Sequence, residues 1–524
     1  MIPVSPREPR RDSYDVVVVG GGLGGISAAA VLARTGRSVL CVDRQDGAGG
    51  FAHAFQRGPY TFDPAVHVTV EAGPGLMVHN LLDWLGAGDV CTWVPSPNVY
   101  RTVFPDFDLA PPVGFEPFVA AHEEALPQDA AGARAFFELQ ERFFRDGLNM
   151  AMSMGLSEIG SATERFPTFF RYRNATVGDV LDETVTDPKV RAVCSSMWPY
   201  LALPPSRLSM LALSPFLGVL INHAPWYSKG SFQRLPDAFV AGIERNGGEF
   251  LPGTPVESIS VENGTVTGVV LAGDRRVGAG TVISNADANH TFRDLIGMEH
   301  VPASYAKRLE RYELSLSAVV VYAATSLDMA RAGADFDNFL FLDWDHEQTY
   351  AGVLAGRPGG MWGSVPTLAD PSLAPDGEHI VILTSLAPYD LGVPWEREKQ
   401  GWGEQMVAHF DEHAFPGLGD SLTHFEVAGP REMRAYTGNT DGAIYAWATT
   451  AKQMGSKRLR HKGPLDGLWL SGAWSEEGPG SFRTILSGLN TARMILGPEG
   501  MGELPLFRSE DLPQDVVGGA QSGA

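Results

Sequence analysis

At 524 residues the chain is too long for a single core, so two or more domains are expected. Hydrophobic residues make up 44% of it and charged residues 19%, the balance of an ordinary globular enzyme, and its formal net charge is −22. That charge repels phosphate backbones, which argues against a nucleic-acid partner and against broad attraction to anionic lipid, though a local peripheral membrane contact stays open. Cys41, Cys91 and Cys194 lie far apart with no Cys-x-x-Cys pair, so neither a disulfide framework nor a metal site is expected, and a reducing cytoplasm fits best.

Residues 1–13 are rich in proline and arginine and read as a disordered tail. Arg10-Arg11 before an apolar run mimics an export signal, but Asp12 and Asp15 follow, and Gly20-Gly21-Gly22 breaks the run at once. The valine-rich run Tyr14–Val19 suits a strand buried on both faces. Residues 26–35 predict a helix stopped at Gly36, and Ser38–Asp43 a second buried strand. This is a β-α-β unit with Gly20, Gly22 and Gly25 as G-x-G-x-x-G at the strand-to-helix turn. The first glycine permits the turn, the second lets the backbone approach a pyrophosphate, and the third allows close helix–strand packing. The helix N-terminus offers free N–H groups and partial positive charge to a diphosphate. Asp43 ends the second strand, where its carboxylate can accept from ribose hydroxyls, and Gly49-Gly50 follows.

Phe136, Phe137, Phe143 and Phe144 recur at helical spacing and predict an amphipathic helix over 130–150 whose stripe packs in a core. Between Arg191 and Lys229 only Arg207 is charged. The uncharged part, 208–228, has the length of a membrane span. Pro215, three serines, Asn222 and His223 make a buried, substrate-facing segment the better reading, with Trp198, Phe216 and Trp226 as candidate substrate contacts. Short β runs occupy 253–285, with Asn263-Gly264 as a hairpin turn. The tail from 499 to 524 reads as disordered.

A further motif, Tyr60-Thr61-Phe62-Asp63-Pro64-Ala65-Val66-His67, follows the first unit. With it the chain resembles the FAD-dependent phytoene desaturase and carotenoid isomerase family, within the wider flavin amine oxidase superfamily. Further anchors are GSFQRLPDAFVAGI at 230–243, residues 247–289 with Val256 at the adenine position, DPSLAPDGEH at 370–379, and GLWLSGAWSEEGPGSFRTILSGLNTARMIL at 467–496. The resemblance implies an α/β fold: a Rossmann-type FAD-binding domain from 14–85, 230–300 and 440–498, and a discontinuous α+β substrate domain from 86–229 and 301–439. It implies cofactor contacts at Gly20, Gly22, Leu23, Gly24, Gly25, Asp43, Arg44, Gly49, Gly50, Phe51, Asp63, His67, Val256 and Asn285. It also implies Gly472-Ala473 near the ribityl-pyrophosphate and Gly480, Ser481 and Phe482 opening a helix towards the isoalloxazine. Three departures stand out. Phe51 replaces a side chain able to hydrogen-bond, Ala473 replaces the common acid, and Asp43 stands where glutamate is common.

A flavin takes hydride from an activated C–H bond, and the allylic hydrogens of polyenes and isoprenoids qualify. The implied activity is desaturation, isomerisation or saturation of C=C bonds in a hydrophobic small molecule. With no second nicotinamide-type loop (GRPGG at 356–360 lacks the strand), oxygen, a quinone or another acceptor takes the electrons, or the flavin cycles without net change. Catalytic candidates are His67, which could donate to the flavin or handle a proton, Glu477 (or Glu476), whose pKa would rise if it faces the cavity, and Arg483, which could hold a carboxylate or phosphate; Trp474 is a candidate cavity residue beside a core cluster of Trp447 and Trp469. Two alternatives remain open. An amine oxidase-like enzyme would need an aromatic cage that the sequence does not reveal, and a prenyl or lipid carrier of the same fold would need no flavin.

Overall fold

A computed structural model describes residues 8–153 and 162–497. The expected disordered tails fall outside the described residues at 1–7 and 499–524, but residues 8–13 do not behave as a tail. The first strand begins at Ser13, Glu249 accepts the Arg10 N–H at 3.2 Å, and Arg275 pairs with Asp12 at 2.8 Å.

The valine run Val16–Val19 is buried because it is a central strand of a seven-stranded sheet. The order is Val256–Glu262, Thr265–Leu271, Arg275–Ser284, Ser13–Val19, Val39–Val42, Glu249–Leu251, with Leu468–Leu470 beside Arg275–Ser284. The last four joins are parallel, and their C-terminal ends lie in register: Val19 beside Val42 and Ser284, Val42 beside Leu251, Ser284 beside Leu470. Ligands bind at the carboxyl ends of such strands. The Asn263-Gly264 turn joins the hairpin as expected, both residues with positive φ (50° and 80°).

The helix Leu23–Arg34 covers this sheet, and the closing helix Ser481–Leu496 packs on it. The approach is close because both surfaces are bare. A Cβ on Gly488 would lie 2.0 Å from Ser27 Oγ and 2.4 Å from the Gly24 carbonyl.

A second seven-stranded sheet runs Leu422–Ala428, Ser317–Thr325, His379–Ala387, Met361–Ser364, Asp337–Leu340, Arg101–Phe104, Phe107–Leu109. It is antiparallel except between Asp337–Leu340 and Arg101–Phe104. Strand alternation divides its faces. Ala318, Val320 and Tyr322 join the core of the first sheet, whereas Val319, Val321 and Ala323 pack with Trp395, Trp402 and Phe410 of the helix Trp395–His413.

A helical layer fills the rest. The expected amphipathic helix runs Ala130–Ser153, with Phe136, Phe137 and Phe143 buried in one core with Phe118 and Tyr172. The apolar 208–228 segment contains the 14-residue helix Met210–His223, buried in that same core. Among the described residues no helix is long and apolar enough to cross a membrane.

Candidate functional site

The glycine loop, the ends of the parallel strands and one face of the second sheet enclose a cavity of about 1180 Å³. That exceeds the roughly 300–1,000 Å³ of a typical small-ligand pocket. At one end Gly20, Gly22, Leu23 and Gly24 line it. Gly22 caps the helix Leu23–Arg34 without a side-chain hydrogen bond, which leaves the helix N-terminus open to an anion. Gly25 lies behind: its Cβ would sit 2.1 Å from the Gly20 carbonyl, so close helix–strand packing requires this glycine.

Asp43 is held by N–H groups, Gly21 donating to Oδ2 at 2.6 Å and Gln45 to Oδ1 at 2.7 Å. Burial raises its pKa although both bonds oppose this. Arg44 donates to the carbonyls of Ala435 (2.9 Å) and Tyr436 (2.5 Å), tying the last turn of the helix Pro430–Thr437 to the second strand's end at the cavity wall. Gly49, Gly50, Phe51 and Val256 also line the cavity. His53 stacks on Tyr436 at 4.0 Å, and burial lowers its pKa to about 4, so it is neutral at pH 7.

Asn285 lines the cavity between the two glycine segments; its Nδ2 donates to Gly20 O at 3.3 Å. A Cβ on Gly472 (φ +84°) would lie 2.2 Å from Asn285 Oδ1, and one on Gly24 would lie 2.6 Å from Gly472 Cα. The N-terminal loop and the C-terminal motif therefore interlock through bare backbone. Ala473, Trp474, Gly480 and Ser481 line the far part of the cavity; Gly472 and Phe482 are adjacent to it without lining it.

Several expected contacts are displaced. Asp63 is fully buried, accepting from Tyr227 O–H (2.8 Å) and Phe232 N–H (2.9 Å), and anchors the chain at 227–232 and not a ligand. Burial pushes its pKa to about 6. His67 also stands behind the wall formed by Ala65 and Val66. Its Nδ1 meets the Ala65 carbonyl at 2.9 Å; Nε2 meets Asp337 Oδ1 at 2.7 Å, Ser364 Oγ at 2.8 Å and Tyr200 O–H at 3.3 Å. Burial lowers the imidazole pKa, but the Asp337 carboxylate and these hydrogen bonds outweigh it, and the net shift is upward.

Glu477 corrects an expectation of a raised pKa. Burial pushes upward, yet His461 Nε2 at 2.9 Å and Asn490 Nδ2 at 2.8 Å hold the carboxylate, and the net shift is down. Arg483 pairs with no substrate-like group: it donates to the carbonyls of Glu477 (2.9 Å) and Leu211 (2.8 Å). Neither side chain lines the cavity.

The apolar segment 208–228 is not substrate-facing: no residue between 192 and 228 lines the cavity. Trp198 is wholly buried near Phe341, His346 and Tyr350; Trp226 covers Gly73; Phe216 lies 6.1 Å from Tyr200, which packs behind Trp362 at 5.0 Å. The wall comes from Ala318, Val320, Trp362 and Thr384 of the second sheet, with Ile444 and Tyr445. Its aromatic members include Trp447 and Trp474, which meet edge-on at 4.7 Å and 88°. Sequence reading missed these strands; the signal that could have found them is the continuous apolar runs Ala318–Ala324 and Ile380–Leu383, suited to strands buried on both faces.

A family model described as an NAD(P)-binding Rossmann-like domain matches residues 18–83. A chloroplastic prolycopene isomerase 2 from an Oncidium hybrid cultivar is 26% identical over 455 residues, covering 82% of this chain and 75% of that protein. A neurosporene-forming phytoene desaturase from Rhodobacter capsulatus is 26% identical over 502 residues, covering 91% and 93%. Among solved structures, a cyclohexylamine oxidase from Brevibacterium oxydans superposes with a TM-score of 0.58 at 17% identity, covering 93% of this chain and all of that one, a likeness of fold.

Proposed function

Taking the chain as a homologue of phytoene desaturases and prolycopene isomerases, we propose that it is an FAD-dependent oxidoreductase acting on CH–CH bonds of a hydrophobic polyene or isoprenoid. The observation that carries this reading is one cavity that joins a bare glycine loop and a ribose-ready carboxylate to an apolar sheet wall. The residues fit the cofactor. The backbone at Gly20, Gly22, Leu23 and Gly24 would hold the diphosphate, Asp43 the ribose, Val256 the adenine side, Ala473 the ribityl chain, and Gly480 and Ser481 the ring end.

When bound, the flavin supplies acceptance or return of a hydride equivalent at an allylic carbon. The protein supplies binding and exclusion of water. Ala318, Val320 and Trp362 offer apolar burial at about 0.8 kcal/mol per CH₂, which a substrate with few polar handles requires. His67, Glu477 and Arg483 act as supports of the walls, each bonded to groups behind them. On this reading 14–85, 230–300 and 440–498 form the FAD domain, and 86–229 with 301–439 form the substrate domain.

The test is anaerobic incubation of the FAD-loaded protein with candidate polyenes, following flavin bleaching and product mass together. Loss of two mass units marks desaturation, gain of two saturation, and an unchanged mass with new retention isomerisation. A purified protein that is colourless and gains no flavin absorption with added FAD would refute the proposal and favour a carrier. Bleaching by amines and by no polyene would move the substrate class to amines.

A further inference from the structure

Behind the far end of the cavity lies a buried positive charge that the proposed function does not use. Arg458 is 0% exposed. One Nη donates to the Trp447 carbonyl at 3.3 Å and touches Met454 Sδ at 3.2 Å; the other donates to the Ala473 carbonyl at 2.8 Å. Its Nε has no partner, and no carboxylate pairs with it among the described residues. A second guanidinium, Arg483, is partly buried and is likewise satisfied by main-chain carbonyls. The nearby carboxylate, Glu477, is already engaged by His461 and Asn490. Among the described residues neither guanidinium forms an ion pair with a carboxylate, and both are held by main-chain carbonyls.

An uncompensated buried charge is costly to a fold. The groups that Arg458 holds explain where its field points. Trp447 and Ala473, whose carbonyls it binds, both line the cavity, as do Trp474, Gly480 and Ser481. The 16-residue helix Ser481–Leu496 starts at the same place, with Gly480 giving it no side-chain cap, so its N-terminal dipole adds to the field.

We propose that Arg458, supported by Arg483, is a positioning charge that stabilises the negative charge a flavin ring gains at its pyrimidine side on reduction. The inference rests on the FAD assignment above. It makes the buried arginine pair, and not an ionisable cavity residue, the source of anion stabilisation.

Sulfite is the probe. Its lone pair forms an N–S bond at flavin N5, the ring electron pair shifts towards N1 and the C2 carbonyl, and the adduct bleaches without any oxidant. Wild-type FAD-loaded protein should form this adduct. Removing one unit charge behind the cavity wall should weaken the adduct by about tenfold, so R458M should raise the sulfite Kd by about that factor while keeping its flavin. R458K should recover most of the loss, which a purely packing role would not predict. R483M gives the same comparison if R458M fails to retain flavin. Unchanged sulfite affinity in a flavin-loaded Met variant, or wild-type protein that stays yellow in saturating sulfite, overturns the inference alone. Wild-type protein that takes up no FAD overturns the flavin assignment and this inference with it.

Discussion

Replacing Gly22 with valine separates the binding role of the glycine loop from its folding role. Gly22 has φ −69° and ψ 165°, an extended conformation any residue adopts. An added Cβ would meet Asn285 Nδ2 at 2.8 Å, and the next atom is 3.9 Å away. The cost to the fold is therefore one disturbed hydrogen bond, from Asn285 to Gly20 O at 3.3 Å, worth about 0.5–1.5 kcal/mol. The Tm of the flavin-free protein should fall by no more than about 4 °C. The cost to binding is larger, because the methyl groups enter the cavity where a diphosphate would meet the helix N-terminus. Losing two charge-assisted hydrogen bonds of about 1.5–3 kcal/mol each weakens FAD by at least about 100-fold. Calorimetric melting of the flavin-free protein and spectrophotometric FAD titration measure the two terms separately. Gly25→Ala is the control: its Cβ would stand 2.1 Å from the Gly20 carbonyl, an overpacking of about 1–3 kcal/mol or more that falls on stability. Normal FAD affinity in Gly22→Val, or a Tm loss as large as that of Gly25→Ala, would refute this division of roles.

Gly488→Ala should destabilise by about 2–3 kcal/mol, because its Cβ would collide with Ser27 Oγ and the Gly24 carbonyl; an unchanged melting temperature contradicts the helix contact. His67 has a folded pKa above its ordinary 6.5, so its stabilisation is fully present below about pH 6.5 and is lost as pH rises through the folded value. Asp337→Asn should flatten this alkaline loss in melting curves taken from pH 5.5 to 9, and a wild-type-like slope would detach the effect from this pair. Ala318→Trp fills the sheet wall of the cavity and should cut polyene-dependent bleaching by more than about tenfold with flavin occupancy kept. Equal bleaching would place the substrate elsewhere.

The nucleotide end of the site was legible because its information is local. Gly20, Gly22, Gly25 and Asp43 sit within one β-α-β unit, where spacing fixes geometry. The remainder depends on pairings that spacing does not encode. The partners of His67, at Asp337 and Ser364, are 270 and 297 residues away, so the sequence exposed a histidine and hid its cluster. The 192–228 stretch was misplaced for a related reason. Hydropathy reports that a segment is buried without saying against what, and here the answer is the helix Ala130–Ser153 and the second sheet. Glu477 misled in the same way: burial alone raises a carboxyl pKa, and the imidazole that reverses the sign lies 16 residues upstream with no motif to mark it.

The clasp between the opening glycine helix and the closing helix also sets a timetable for biosynthesis. Ser471 donates to the Gly24 carbonyl across 447 residues, so the glycine helix is made well before the segment that clasps it. At about 5–20 residues per second that delay is about 20–90 s. During it the apolar faces around Ala28–Val31 lack their final cover, so a chain interrupted before Ser471 leaves them exposed.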